Sequence, residues 1–246
     1  MDREKAQILI LVEGERTDVR LMEHLLNIYG IGEKHRIVAY KTNIYALYNQ
    51  MFRDTDPSDV DLLQLLREHE HDPSRKKMFD AKYSDILLIF DLDPQDSQFS
   101  SDKIMEMMRY FVESSDMGKL YLNYPMVEAF YHMKSIPDAD YYSYCVSMQE
   151  LREKRYKARV QAENRDHDYT KFAVTKAECN TVIKTNIEKA LRISEVTIPP
   201  DIVEPPLPAS ADILSAQLDK IHSENMLSVL CTCVFYIPEY NPKLLF

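Results

Sequence analysis

No Cys-x-x-Cys pair occurs in this chain, and its four cysteines, Cys145, Cys179, Cys231 and Cys233, have no zinc-ligand spacing. The last two lie inside the apolar run Val229–Phe235, so they read as buried free thiols and offer neither a zinc site nor a disulfide framework. No apolar run approaches the roughly 20 residues that a membrane-spanning helix needs, which predicts a protein with no membrane partner. Positive charge is also short: 30 Lys and Arg stand against 40 Asp and Glu, for a net charge of -10. That balance excludes an indiscriminate nucleic-acid coat, because neutralising phosphates takes clustered cations, but it leaves room for a local basic strip. Internal repeats and low-complexity tracts are absent. The seven histidines form no ligand pair; His69 and His71 flank Glu70 at a polar helix end and are expected to face solvent.

What the chain does have is two short apolar runs that each finish in acid. Ile8–Val12 leads into Glu13-Gly14, and Ile86–Phe90 leads into Asp91-Leu92-Asp93. Runs of this length and branching read as strands buried on both faces, as in a parallel sheet covered by helices. Ligands of such sheets lie beyond the carboxyl ends of the strands, where Glu13, Asp91 and Asp93 emerge. Acids gathered there repel one another unless a cation sits among them, and oxygen ligands suit Mg²⁺ or Mn²⁺.

With 246 residues, 45% hydrophobic and 28% charged, the chain is long enough for one sizeable core with an appendage. Strand-like and helical runs alternate up to about residue 135, which predicts an α/β domain with about four parallel strands flanked by helices. The expected strands are 8–12, 35–40, 86–90 and 120–123. Between them, helices are expected at 17–29 with Thr17 as N-cap and Gly30 closing the far end, then at 44–52, 60–69 and 102–113. Pro125 suits the first turn of a further helix over 126–133. Residues 136–246 form a mainly helical C-terminal region, with helices predicted at 147–164, 174–193 and 211–225. The segment Ser194–Ala209 carries five prolines and is expected to be extended. The apolar tail from Leu227 suits core packing, or a face for a possible homodimer.

Two motifs carry a resemblance. Glu13-Gly14-Glu15-Arg16-Thr17-Asp18 looks like the glutamate motif of Toprim domains, and Asp91-Leu92-Asp93 resembles their Asp-x-Asp motif; both close a buried strand, in the family's order. Asp18 stands five residues after Glu13, as in RloB-like proteins. Asn123-Tyr124-Pro125-Met126-Val127-Glu128 is similar to the Asn-Pro-x-x-Glu element of those proteins, with Tyr124 inserted. The resemblance covers about half the chain. It implies a Toprim-type fold, a Mg²⁺-dependent nuclease of the OLD-like or RloB-like group cutting DNA or RNA, and an antiviral effector. Because the chain has no Gly-x-x-x-x-Gly-Lys-Ser/Thr loop, a controlling ABC-type ATPase would be a separate chain. The opening Met-Asp-Arg-Glu-Lys runs almost directly into the first strand with no room for a signal peptide, so a cytoplasmic location is the expectation.

On this reading Glu13, Asp18, Asp91 and Asp93 hold metal, and Glu13, Asp91, Asp93, Glu128 and Lys171 do the chemistry, with Lys176 an alternative cation. Divalent ions supply the charge neutralisation and activated water that phosphodiester cleavage needs. Arg152, Arg155 and Arg159 recur at helical spacing, and one face carrying all three would track a phosphate backbone, with Tyr156 adjacent. Each residue also has a plainer role. Glu-Gly after a strand makes a turn, Asp18 and Glu128 suit the positive end of a helix, Asp96 sits in Pro-Gln-Asp-Ser turn chemistry, and the arginines suit a solvated helix with internal Glu pairs. Two other functions fit parts of the pattern. Phe90-Asp91-Leu92-Asp93 resembles the nucleophile motif of haloacid-dehalogenase phosphatases, though Pro94-Gln95 replaces the Gly-Thr expected next. A Toprim-fold binding module without catalysis suits the acidic net charge.

Overall fold

The computed structural model describes residues 7–54, 56–196 and 206–245. It is an α/β protein with a four-stranded parallel sheet in the order β2-β1-β3-β4, flanked by helices and followed by a helical C-terminal region. The strands are β1 (Gln7–Val12), β2 (His35–Ala39), β3 (Tyr83–Asp91) and β4 (Lys119–Asn123). The chain packs as two compact units. The first is residues 1–90 with 106–120, and the second is residues 91–105 with 121–246. A cut at residue 135 follows neither boundary, since β3 changes unit at Phe90/Asp91 and β4 at Leu120/Tyr121.

In the first unit β1 pairs in parallel with β2 (Ile10 opposite Ile37) and with β3 (Ile10 opposite Leu87). Ile8 to Val12 are all buried, as a strand covered on both faces requires. Helix α1 (Thr17–Ile28) packs Leu21, Met22, Leu25 and Leu26 inward. It ends as expected: Gly30, at φ 65°, turns left-handed, and the Ile31 N–H closes on the Leu26 carbonyl at 3.0 Å. Its start differs from expectation. Arg16 is the N-cap, no side chain caps it, and Thr17 is the first helical residue. Helices α2 (Ile44–Met51) and α3 (Leu62–His69) are capped by Asn43 and Asp61. The basic stretch after α3 forms a short helix, α4 (Pro73–Lys76). Helix α5 (Ser101–Tyr110) falls where the 102–113 helix was expected.

The second unit holds a two-stranded antiparallel pair, β5 (Cys145–Ser147) and β6 (Met226–Ser228). Helices α6 (Met148–Arg152), α7 (Tyr156–Glu163), α8 (Lys176–Ile193), α9 (Ser210–Glu224) and α10 (Tyr236–Tyr240) make up most of the rest. Thr175 and Glu178 form a capping box at the start of α8. The tail is core: Val229 to Val234 and Ile237 are buried, and Leu230 makes reciprocal 2.8 Å backbone bonds with Tyr124. Most of the proline-rich segment, 197–205, lies outside the described residues. No described helix is long and apolar enough to cross a membrane.

Two expected helices are corrected. The 147–164 helix is broken in two: Lys154 takes φ 55°, and the Arg155 N–H closes back on the Glu150 carbonyl at 3.1 Å, the left-handed ending usually made by glycine. The 126–133 helix is only a 3₁₀ turn, Val127–Tyr131. The Pro125 carbonyl accepts from the N–H groups of Leu92 and Asp93 at 3.1 and 3.3 Å, and the Val127 N–H is committed to a carboxylate. With two donors already on it, the Pro125 carbonyl is not left for the Ala129 N–H, which bonds the Met126 carbonyl at 2.9 Å in the 3₁₀ pattern instead.

Candidate functional site

Strand β3 ends in the second unit, where the Val127 N–H and the Asn123 amide both hold its last residue. Asp91 is buried; its Oδ1 accepts from the Val127 N–H at 2.8 Å and, more loosely, from Asn123 Nδ2 at 3.5 Å. Asn123, fully buried, is itself anchored. Its Oδ1 faces the Cys231 thiol at 3.5 Å and the Cys233 N–H at 3.4 Å, and its carbonyl accepts from the Leu92 N–H at 3.1 Å. The Asn-Tyr-Pro element thus orients the first aspartate of Asp-x-Asp through hydrogen bonds, which turns a sequence motif into a support for one carboxylate.

Two residues on, the chain leaves strand geometry. Asp93 takes φ 41°, a left-handed conformation that aspartate tolerates better than most side chains, and its carbonyl receives the Asp96 N–H at 2.9 Å. Gln95 Nε2 donates to Asp93 Oδ1 at 2.9 Å. Burial pushes the Asp93 carboxyl pKa up, against the pull of the Gln95 hydrogen bond and the Lys157 charge; Asp96 and Glu128 add to the rise by repulsion.

Glu128, in the 3₁₀ turn after Pro125, is 3% exposed. Its Oε1 lies 3.0 Å from Lys157 Nζ, while its Oε2 is buried with no hydrogen-bond partner among the described residues. Gln95 Oε1 is a second buried acceptor with no donor. Lys157 reaches Glu128 from α7. Burial draws its ammonium pKa down, but Glu128, Asp91 and Asp93 more than reverse that, and the net direction is up. Asp91, Asp93, Glu128 and Lys157 are therefore one electrostatic group, three carboxylates answered by one amine.

Glu13 and Asp18 belong to the first unit. The Glu13 backbone extends the β1 ladder past Val12, donating to the Ile89 carbonyl at 3.1 Å and accepting from the Lys41 N–H at 3.0 Å. The Asp18 side chain folds back on the Glu-Gly turn: a methyl at Gly14 would lie 2.5 Å from Asp18 Oδ2. The motif's glycine lets the carboxylate approach this closely; a side chain there would make Asp18 shift.

The remaining sequence candidates are placed elsewhere or otherwise engaged. Lys171 is exposed and pairs with Asp168 at 3.6 Å, and Lys176 is the first residue of α8. Arg152 ends α6, Arg155 precedes α7 and Arg159 lies within it, so the break at Lys154 removes the continuous face expected for all three. Arg159 donates to Glu150 Oε2 and to the Cys145 carbonyl, each at 2.9 Å, and Arg155 pairs with Glu153. Lys157, within the same basic run, was not singled out by the sequence; only the fold brings its amine to Glu128.

Two observations bear on a divalent ion. Among the described residues no group of three His, Cys, Asp or Glu side chains is arranged around a common point as a metal cage. Yet Glu128 Oε2 in the acidic group, and the amide oxygen of Gln95, which bonds Asp93, are buried without donors among the described residues, and oxygens are what hard cations take. The donor chemistry fits Mg²⁺ or Mn²⁺, and the acids alone do not complete a shell. Comparison of the chain with protein-family models, curated proteins and solved structures finds no match in any of the three. The likeness to Toprim proteins therefore rests on the motifs alone.

Proposed function

We propose that this chain is a Mg²⁺- or Mn²⁺-dependent nuclease of Toprim type, with its acidic centre at Asp91, Asp93 and Glu128. The observation that carries the reading is Glu128, a buried carboxylate with one oxygen on Lys157 and the other without a donor. Leaving a buried acceptor unmade costs about 1–3 kcal/mol, which a binding site repays when its ligand arrives.

The chain's own residues have distinct tasks in this reading. Asn123 and the Val127 N–H fix Asp91; Asp91, Asp93 and Glu128 would hold the ion. A bound divalent ion supplies Lewis-acid polarisation of the phosphoryl group and an activated water near neutral pH. Lys157 places a positive charge beside the same acids, suited to the non-bridging oxygens of a phosphodiester. Asp93, its pKa raised by burial, holds a proton more readily than an exposed carboxylate does. Glu13 and Asp18 complete the motif set in sequence, and their part is tested by substitution. The motif likeness further suggests a cytoplasmic antiviral effector acting on DNA or RNA under a separate ATPase.

The test is cleavage of labelled DNA and RNA by the purified chain with Mg²⁺, Mn²⁺ or EDTA, alongside Asp91→Asn and Glu13→Gln variants. Cleavage that needs the metal and is lost in Asp91→Asn is expected. Failure to cleave either polymer, together with failure to bind Mn²⁺, would refute the proposal. A second reading, a binding module without catalysis, is favoured by the absence of a preformed acid cage. It predicts nucleic-acid binding that is indifferent to metal.

A further inference from the structure

Helix α7 brings Lys157 to Glu128, and its two ends are held differently. At the C-terminal end Asn164 Nδ2 donates to the Tyr131 carbonyl at 2.7 Å and the Arg165 N–H to the Met133 carbonyl at 2.8 Å, which pins this end to the segment after Glu128. Arg159, in the middle, ties the helix to α6 at Glu150 and to β5 at the Cys145 carbonyl. At the N-terminal end, beside Lys157, the tie is Tyr156, whose hydroxyl meets His132 Nδ1 at 3.2 Å. His132 closes the 3₁₀ turn that carries Glu128. Its other nitrogen, Nε2, lies 3.0 Å from Glu163 Oε2, seven residues further along the same helix face.

Both bonds require one tautomer. A carboxylate only accepts, so Nε2 carries the hydrogen and Nδ1 is left to accept from the Tyr156 O–H. Burial keeps the ring neutral, drawing its pKa down to about 4 against the pull of Glu163. His132 and Tyr156 are each 1% exposed, so water does not replace either partner at that bond.

We infer that His132 is a positioning residue of the acidic site: by accepting from Tyr156 and donating to Glu163 it holds α7 on the Glu128 turn at the register that sets the Lys157 amine 3.0 Å from Glu128. This rests on the reading of Lys157 and Glu128 as site residues and names what places them. The Lys157 stem is flexible and largely exposed, so without the tie its amine has water as an alternative partner.

The experiment is a double-mutant cycle of Lys157→Met and Glu128→Gln, read by urea unfolding of the full chain in EDTA without substrate, in native, His132→Phe, Glu163→Leu and Glu163→Gln backgrounds. In the native background the coupling should change the unfolding constant by about 30-fold. It is expected to fall below about 5-fold in His132→Phe and Glu163→Leu, and to survive in Glu163→Gln, whose amide oxygen still accepts from Nε2. Glu163→Gln also removes the charge facing Lys134 at 3.8 Å, so its rescue assigns the effect to the His132 bond and not to that ion pair. A residue that only adds stability would shift every curve and leave the coupling unchanged. Glu163 lies at the partly exposed end of α7, so its variants carry the test if His132→Phe does not fold. Coupling undiminished in Glu163→Leu, or lost equally in Glu163→Gln, overturns the inference and leaves the nuclease reading to the cleavage assay.

Discussion

The Lys157–Glu128 pair should be strongly asymmetric to substitution. Glu128 is 3% exposed and has no other hydrogen-bond partner among the described residues, whereas the Lys157 side chain is 63% exposed. Lys157→Met strips the last partner from a buried carboxylate, and such a break costs about 3–5 kcal/mol in fully buried pairs; about 3 is expected here, since one partner is exposed. Glu128→Gln removes the buried charge and lets Lys157 turn to water, so it should cost within about 1 kcal/mol, the range of exposed pairs. The double variant should resemble Glu128→Gln, giving a coupling of at least about 2 kcal/mol in the double-mutant cycle. Urea unfolding followed by circular dichroism near pH 7, in EDTA, measures all four proteins. A loss from Lys157→Met no greater than that from Glu128→Gln would show that Glu128 is already satisfied without the amine. The claim that the acids form one electrostatic group would then fall.

Two further outcomes follow from the second unit. Lys189, 1% exposed, donates to the carbonyls of Tyr141 and Tyr144 at 2.7 and 2.8 Å, and burial brings its pKa down from 10.5 to about 7. Between those values the unfolded chain binds a proton that the folded chain does not, so stability rises with pH, by about 1.4 kcal/mol per pH unit at its steepest. Unfolding titrations from pH 7 to 9 should show this rise in the native protein and lose it in Lys189→Met; parallel curves would refute the burial argument. Thr175→Ala should cost about 1 kcal/mol by undoing the capping box of α8, and Thr175→Ser should cost little, read as a shift in the urea midpoint.

The sheet was readable because its strands are buried on both faces, so Ile8–Val12 and Ile86–Phe90 had to be continuous apolar runs. Helices with a clear apolar stripe or cap, such as 17–28, 44–51 and 176–193, were readable for the same reason. The two errors share a cause. At Pro125 the carbonyl is taken by the nonlocal N–H groups of Leu92 and Asp93, and at Lys154 the backbone turns left-handed without glycine; neither leaves a local signature. In the acidic group the carboxylates announced themselves at strand ends. Lys157 and Gln95 did not, because a lysine in a basic helix and a glutamine in a turn look ordinary until the fold shows what their tips meet.

The contact between Gly14 and the Asp18 carboxylate makes these two positions a single heritable unit. A side chain at 14 would meet the Asp18 carboxylate at 2.5 Å, so a lineage that gains alanine at 14 must move or lose the acid at 18, and one that loses the acid frees position 14. In an alignment of descendants of this chain, a side chain at 14 should be found with a rearranged or absent acid at 18, whereas the acid can be lost while the glycine stays. Motif searches that score the glycine and the aspartate separately would count one constraint twice.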